Sequence, residues 1–104
     1  MLLGTVVGHV WATQKESSLE GLRLLVVRPF TTGPGETAET LVAADPLGAG
    51  IGERVLVVFG RAARHAIGRG HDIGFQTAVA AIVDGAELEG GRHIGPTRED
   101  DTGR

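Results

Sequence analysis

Five short apolar runs, separated by loops rich in glycine and proline, constrain the fold of this chain more than any other feature. They span residues 2–13, 22–28, 39–44, 54–59 and 77–83. In the first run every even position is apolar or small, which is the alternation of a strand that rests one face on a core. Residues 61–67 are rich in alanine and lack proline and glycine, so they indicate one short helix.

This pattern predicts an all-β fold, a small five-stranded OB-like Greek-key β-barrel with one short helix. A length of 104 residues allows one domain. The 17 glycines, about twice the usual share, supply the turns and bulges that a tightly curved barrel needs. We assign residues 1–89 to the barrel and the polar residues 90–104 to a C-terminal tail.

Three of the predicted strands are apolar at consecutive positions, in segments 24–27, 55–59 and 78–83. Only one face of each strand in a small barrel points inward, so the other face carries apolar side chains outward. No second helical layer is predicted to cover them. Another copy of the same chain is the most economical cover, so the sequence predicts a self-assembling barrel.

Composition and charge argue against several classes of function. The chain has no cysteine, which excludes disulfides and cysteine-based zinc sites. Its net charge is −3, with no basic block, and only four residues are aromatic, so no nucleic-acid partner is expected. No apolar run approaches the roughly 20 residues that span a membrane, and the N-terminus lacks the basic region of a signal peptide. We expect a cytoplasmic protein with no membrane partner.

No residue pattern indicates a catalytic, cofactor or metal site. The glycine-rich segment 48–53 precedes a strand, so it predicts a structural turn and not a phosphate-binding loop. The only serines, Ser17 and Ser18, do not lie in a nucleophile elbow. The four histidines lack the spacing of a helical zinc site: His9, His65, His71 and His93. We therefore predict that the chain is not an enzyme and carries no cofactor or metal.

One basic cluster stands out after the fourth run. It contains Arg61, Arg64 and Arg69, with His65 and His71 among them. An anion, a neighbouring subunit or solvent are all compatible partners for it, and the sequence leaves this choice open.

Five segments, taken in order, carry a resemblance to a known family. They are residues 3–15 (LGTVVGHVWATQK), 19–27 (LEGLRLLVV), 44–57 (ADPLGAGIGERVLV), 60–64 (GRAAR) and 77–84 (TAVAAIVD). Together they resemble the EutN/CcmL family of bacterial microcompartment pentameric vertex proteins. The likeness extends over nearly the whole chain to about Asp84.

The resemblance implies a homopentamer with a structural role. Flat sheets of six-fold tiles cannot close on themselves, so a closed polyhedral shell needs five-fold units at its vertices. The implied partners are hexameric microcompartment shell proteins, and the implied location is the shell, within the cytoplasm. The expected five-fold axis region follows the fourth strand: Gly60, Arg61, Ala62, Ala63 and Arg64.

Two other interpretations remain open at this point. An OB-fold binding module for a small ligand or single-stranded nucleic acid fits the fold, but the chain offers few aromatic and basic residues for it. A small enzyme with a site between subunits is the second, and the sequence shows no activated nucleophile or metal set to support it.

Overall fold

Five strands close into a barrel in the computed structural model, which describes residues 1–12, 21–31, 39–68 and 76–97. The strands follow the order β1-β2-β3-β5-β4 around the barrel. Only β3 and β5 pair in parallel. The predicted five-stranded barrel is confirmed, with these strands: β1 (Leu2–Val10), β2 (Leu24–Pro29), β3 (Leu41–Ala44), β4 (Arg54–Phe59) and β5 (Thr77–Ile82).

The barrel interior is small and aliphatic. Leu2, Leu41 and Ile82 are half-buried at its margins. Its centre consists of eight side chains with no exposed surface, contributed by all five strands and one loop: Val6, Leu25, Val27, Ala43, Ala49, Val55, Val57 and Val79. No aromatic ring enters this cluster, so the strands approach one another closely.

A β-bulge in β1 overturns part of the alternation that the sequence suggested. Val6 pairs with Val27, but Gly8 pairs with Val26, so Val7 is an extra residue in β1. Cross-strand partners share a face of the sheet. Beyond the bulge Val10 therefore lies on the outer face beside Leu24, although the even positions of residues 2–13 were all expected on the core face.

Helix α1 (Gly60–Ile67) covers part of the outer surface. Gly60 (φ +62°) begins it directly after β4, and Gly68 (φ +79°) ends it, donating its N–H to the carbonyl of Arg64. The methyl group of Ala63 packs against Val58 and Ala78, and all three are buried. The one predicted helix, and not a second layer, thus covers the outer apolar residues of this pair of strands.

A C-terminal hairpin lies against the outside of the barrel. It consists of β6 (Ala86–Glu87), a 3-10 turn (Glu89–Gly91) and β7 (His93–Ile94). The guanidinium carbons of Arg54 and Arg92 each lie 5.4 Å from the centroid of the Phe30 ring. Ile94 is fully buried. The domain boundary expected after residue 89 therefore falls inside this hairpin, while residues 98–104 lie outside the described residues.

Gly4→Ala is expected to destabilise the barrel by about 1–3 kcal/mol, because it overpacks the core. A Cβ at Gly4 would lie 2.5 Å from Cγ1 of Val27 and 2.9 Å from the carbonyl oxygen of Arg28. Thermal unfolding followed by circular dichroism, at one protein concentration, measures the change.

Gly8→Ala is the matched control in the same strand. Its Cβ would meet only Val26, at 3.7 Å, which is ordinary van der Waals contact. We expect a change within about 0.5 kcal/mol. Equal melting temperatures for the two variants would contradict the close approach at Gly4.

Candidate assembly surface

Strands β1, β2 and β3 continue past Arg54, the first residue of β4, and expose an apolar outer surface. β4 pairs with β1 only over residues 2–5 of β1, whereas β2 pairs with β1 as far as Val10. On the outer side of this extension Val10 pairs with Leu24, and Val26 pairs with Val42. Val42 is 38% exposed and the other three are half-buried. We call these four residues the ribbon face.

A second apolar surface lies elsewhere on the outside of the barrel. Leu3 pairs with Leu56, and Leu56 pairs with Ala81, so the three side chains form one row across β1, β4 and β5. Their neighbours in the ladders, such as Val55 and Val57, point into the core. The three residues are half-buried. We call this row the β4 face.

The two faces differ in residues and in place on the barrel, so a contact that joins one to the other is head-to-tail. A two-fold dimer needs one surface that complements itself, whereas a head-to-tail contact joins two different surfaces of the same chain. Head-to-tail contacts generate rings when the rotation closes. The ribbon face and the β4 face therefore suit a cyclic assembly.

The glycine-rich loop before β4 is a structural turn, as the sequence predicted. The carboxylate of Asp45 accepts hydrogen bonds from the backbone N–H groups of Leu47 (3.0 Å), Gly48 (3.0 Å) and Ala49 (2.8 Å). Arg23 lies 3.8 Å from the same carboxylate. These three amides already have an anionic partner within the chain, so they do not form a phosphate cradle.

The predicted axis region, Gly60 to Arg64, forms the first turn of α1, directly after the end of β4. Arg61 and Ala62 are exposed, Ala63 is buried against the barrel, and Arg64 is half-buried. The geometry of a single subunit does not bring Gly60 and its neighbours to an axis, so this assignment stays a prediction. Of the basic cluster, His65 is exposed on α1, and Arg69 and His71 lie outside the described residues.

The described residues contain no group of three or more histidine, cysteine, aspartate or glutamate side chains that could hold a metal ion. His9 stacks on Trp11, and His93 lies on β7. Ser17 and Ser18 fall outside the part of the chain that the structure describes. Within that part, no helix has the length and apolar character needed to cross a membrane.

The sequence placed Val10 on the wrong face of its strand, and it did not identify Leu24 as a surface residue. Val10 was expected in the core because it occupies an even position of the first run. Gly8 was the available signal, since a glycine inside a strand often marks a bulge. The alternation rule alone could not say on which side of Gly8 the extra residue falls.

Comparison with known proteins gives consistent matches along the barrel. The family model described as "Ethanolamine utilisation protein EutN/carboxysome" matches residues 1–84. The bacterial microcompartment shell vertex protein GrpN of Rhodospirillum rubrum is 42% identical over 87 residues, which cover 84% of this chain and 97% of GrpN. The carboxysome shell vertex protein CcmL of Thermosynechococcus vestitus is 46% identical over 88 residues, covering 81% of this chain and 84% of CcmL.

A solved structure agrees with these sequence matches. The GrpN pentameric microcompartment shell protein from Rhodospirillum rubrum superimposes with a TM-score of 0.71 at 40% identity, covering 85% of this chain and 99% of that one. The residues matched by the family model end at 84, before the C-terminal hairpin begins.

Val42→Glu is expected to weaken self-association by at least about 100-fold. An uncompensated carboxylate in an apolar contact costs about 3 kcal/mol or more. Val42 is 38% exposed in the single subunit, so the barrel itself should still fold. Analytical ultracentrifugation over a concentration series measures the association, and circular dichroism verifies the fold.

Val42→Thr provides the control, because threonine keeps the β-branched shape without a charge. It should weaken association far less than glutamate does. Undiminished association of Val42→Glu would exclude the ribbon face from the contact.

Proposed function

This chain belongs to the EutN/CcmL family, and on that premise we propose that five copies form a ring that closes a vertex of a bacterial microcompartment shell. The relatives GrpN and CcmL are named as shell vertex proteins, and the solved GrpN structure is described as pentameric. The chain is accordingly a structural protein and not an enzyme, as its sequence predicted.

The presence of two distinct apolar outer faces carries this proposal. In a ring of five, the ribbon face of one subunit contacts the β4 face of the next, and the fifth contact closes the circle. Each subunit then covers both of its apolar faces. This arrangement explains why β2, β4 and β5 are apolar at consecutive positions beyond Val58 and Ala78, which α1 covers.

The ring meets hexameric shell proteins at its rim. A shell built from six-fold tiles closes only where five-fold units interrupt the tiling. The proposal includes no nucleic-acid partner, in keeping with a net charge of −3 and no basic block. It places the protein in the shell of a compartment within the cytoplasm.

We retain Gly60, Arg61, Ala62, Ala63 and Arg64 as the proposed region near the five-fold axis. The exposure of Arg61 and Ala62 at the start of α1 supports it, because side chains that line an axis are not covered by their own barrel. Ala63 packs on the barrel and fixes the helix there.

Native mass spectrometry should detect a species of about 54 kDa at micromolar concentration, five times the subunit mass of 10.8 kDa. Buried apolar faces hold the ring together in the absence of any ligand. A stable monomer or dimer under these conditions would refute the proposed function.

Ala62→Cys tests the axis region, because the chain contains no other cysteine. Five thiols around an axis lie close to one another, so a short bis-maleimide should produce covalent species up to the pentamer on a denaturing gel. Glu87→Cys, exposed on β6, is the control. Equal cross-linking of the two variants would remove residues 60–64 from the axis.

A further inference from the structure

The outward face of α1 is basic. Arg61, Arg64 and His65 stand three or four positions apart, so they lie on one side of the helix. Ala63 packs against the barrel from the opposite side. Arg61 and His65 are exposed, and Arg64 is half-buried. The helix therefore directs two guanidinium groups away from its own apolar contact.

No acidic residue lies on α1 or on the two strands that it packs against. β4, α1 and β5 contain the arginines Arg54, Arg61 and Arg64, and no aspartate or glutamate. Among the residues that the structure describes, neither Arg61 nor Arg64 forms an ion pair with a carboxylate. The whole chain has a net charge of −3, so positive charge is concentrated on this helix against the sign of the chain. Such a concentration indicates an anionic partner from outside the subunit.

The proposed ring brings this charge together at one place. With residues 60–64 near the five-fold axis, five copies of Arg61 surround a common centre, and each contributes one positive charge. Like charges in this arrangement repel one another, whereas an anion at the centre is attracted by all five. The ring therefore creates a concentration of positive charge that no single subunit has.

A small multivalent oxyanion suits these surroundings better than a folded protein does. The guanidinium group binds the oxygen atoms of phosphate and carboxylate groups through two parallel hydrogen bonds. An ion on the axis reaches equivalent groups of all five subunits, whereas a folded partner without five-fold symmetry contacts only some of them. An ion with several negative charges is favoured over chloride, because the attraction grows with its charge.

We propose that five Arg61 side chains form an anion site on the axis of the ring, and that it binds small multivalent oxyanions of the phosphate or carboxylate class. Arg64, three residues further along the same face of α1, adds to the positive potential. The site rests on the proposed function, since it requires the ring and the position of residues 60–64 at its axis. Of the partners that the sequence left open for this basic cluster, the site selects an anion.

Isothermal titration calorimetry of the assembled chain with inorganic pyrophosphate tests the site by its stoichiometry. We expect one pyrophosphate per five subunits, because the axial site exists once in each ring. Independent binding to each helix would give five. Native mass spectrometry of the same sample verifies the pentamer, and citrate, titrated in parallel, distinguishes a carboxylate ligand from a phosphate one.

Arg61→Ser should weaken pyrophosphate binding by at least about 100-fold, because one substitution removes five guanidinium groups from the ring. Arg61 is exposed in the subunit, so circular dichroism should show an unchanged fold. Arg28→Ser is the matched control: Arg28 is exposed on β2, which pairs with neither β4 nor β5. Loss of this distant charge should change the affinity by less than about threefold, because salt screens it.

The outcomes separate the anion site from the proposed function. One pyrophosphate per pentamer, lost in Arg61→Ser and retained in Arg28→Ser, would support the site. A pentamer that binds no pyrophosphate, binds five, or binds it equally well after Arg61→Ser would overturn the site and leave the ring intact. A wild-type chain that stays monomeric would overturn both the site and the ring.

Discussion

The close approach of β1 to β2 at Gly4 is the constraint on which the rest of this structure depends. A Cβ at that position would occupy the space of Val27, which lies at the centre of the core. β1 is also the strand that pairs with β2 on one side and β4 on the other. Because β1 carries no side chain at Gly4, both neighbours pack around a narrow interior filled by valines and alanines. A barrel this narrow has little room inside for apolar side chains, so others must lie outside.

The β-bulge at Val7 places some of these outer apolar side chains next to one another. The extra residue exchanges the inward and outward positions of β1 after Val7, so Val10 lies beside Leu24 on the outer side. The extension of β1, β2 and β3 beyond β4 then presents this side away from the rest of the barrel. A regular strand would have directed Val10 inward and left the outer face without one of its members. The bulge thus connects the packing inside the subunit with the contact proposed between subunits.

The C-terminal hairpin follows the residues that the family model matches. The family model ends at residue 84, and the hairpin follows from residue 86. Contacts of Arg54 and Arg92 with the ring of Phe30, and the hydrogen bond from the N–H of Arg54 to the carbonyl of Pro96, hold it in place. Arg54 is only 1% exposed as a result. Arg54, a residue inside the matched range, therefore owes part of its surroundings to a segment that follows this range.

The sequence by itself determined the strands and the need for a partner. The run at residues 54–59 predicts β4 to the residue, because Gly60 follows it and the helix begins there. Consecutive apolar positions in β2, β4 and β5 predict outer faces that water disfavours. Only the tertiary structure decided which residues form those faces. The register of β1 against β2 depends on packing around Gly4 and Val27, and local alternation does not contain that information. For the same reason the sequence showed Trp11 as a member of a strand, whereas the fold places it past the strand end and in the open.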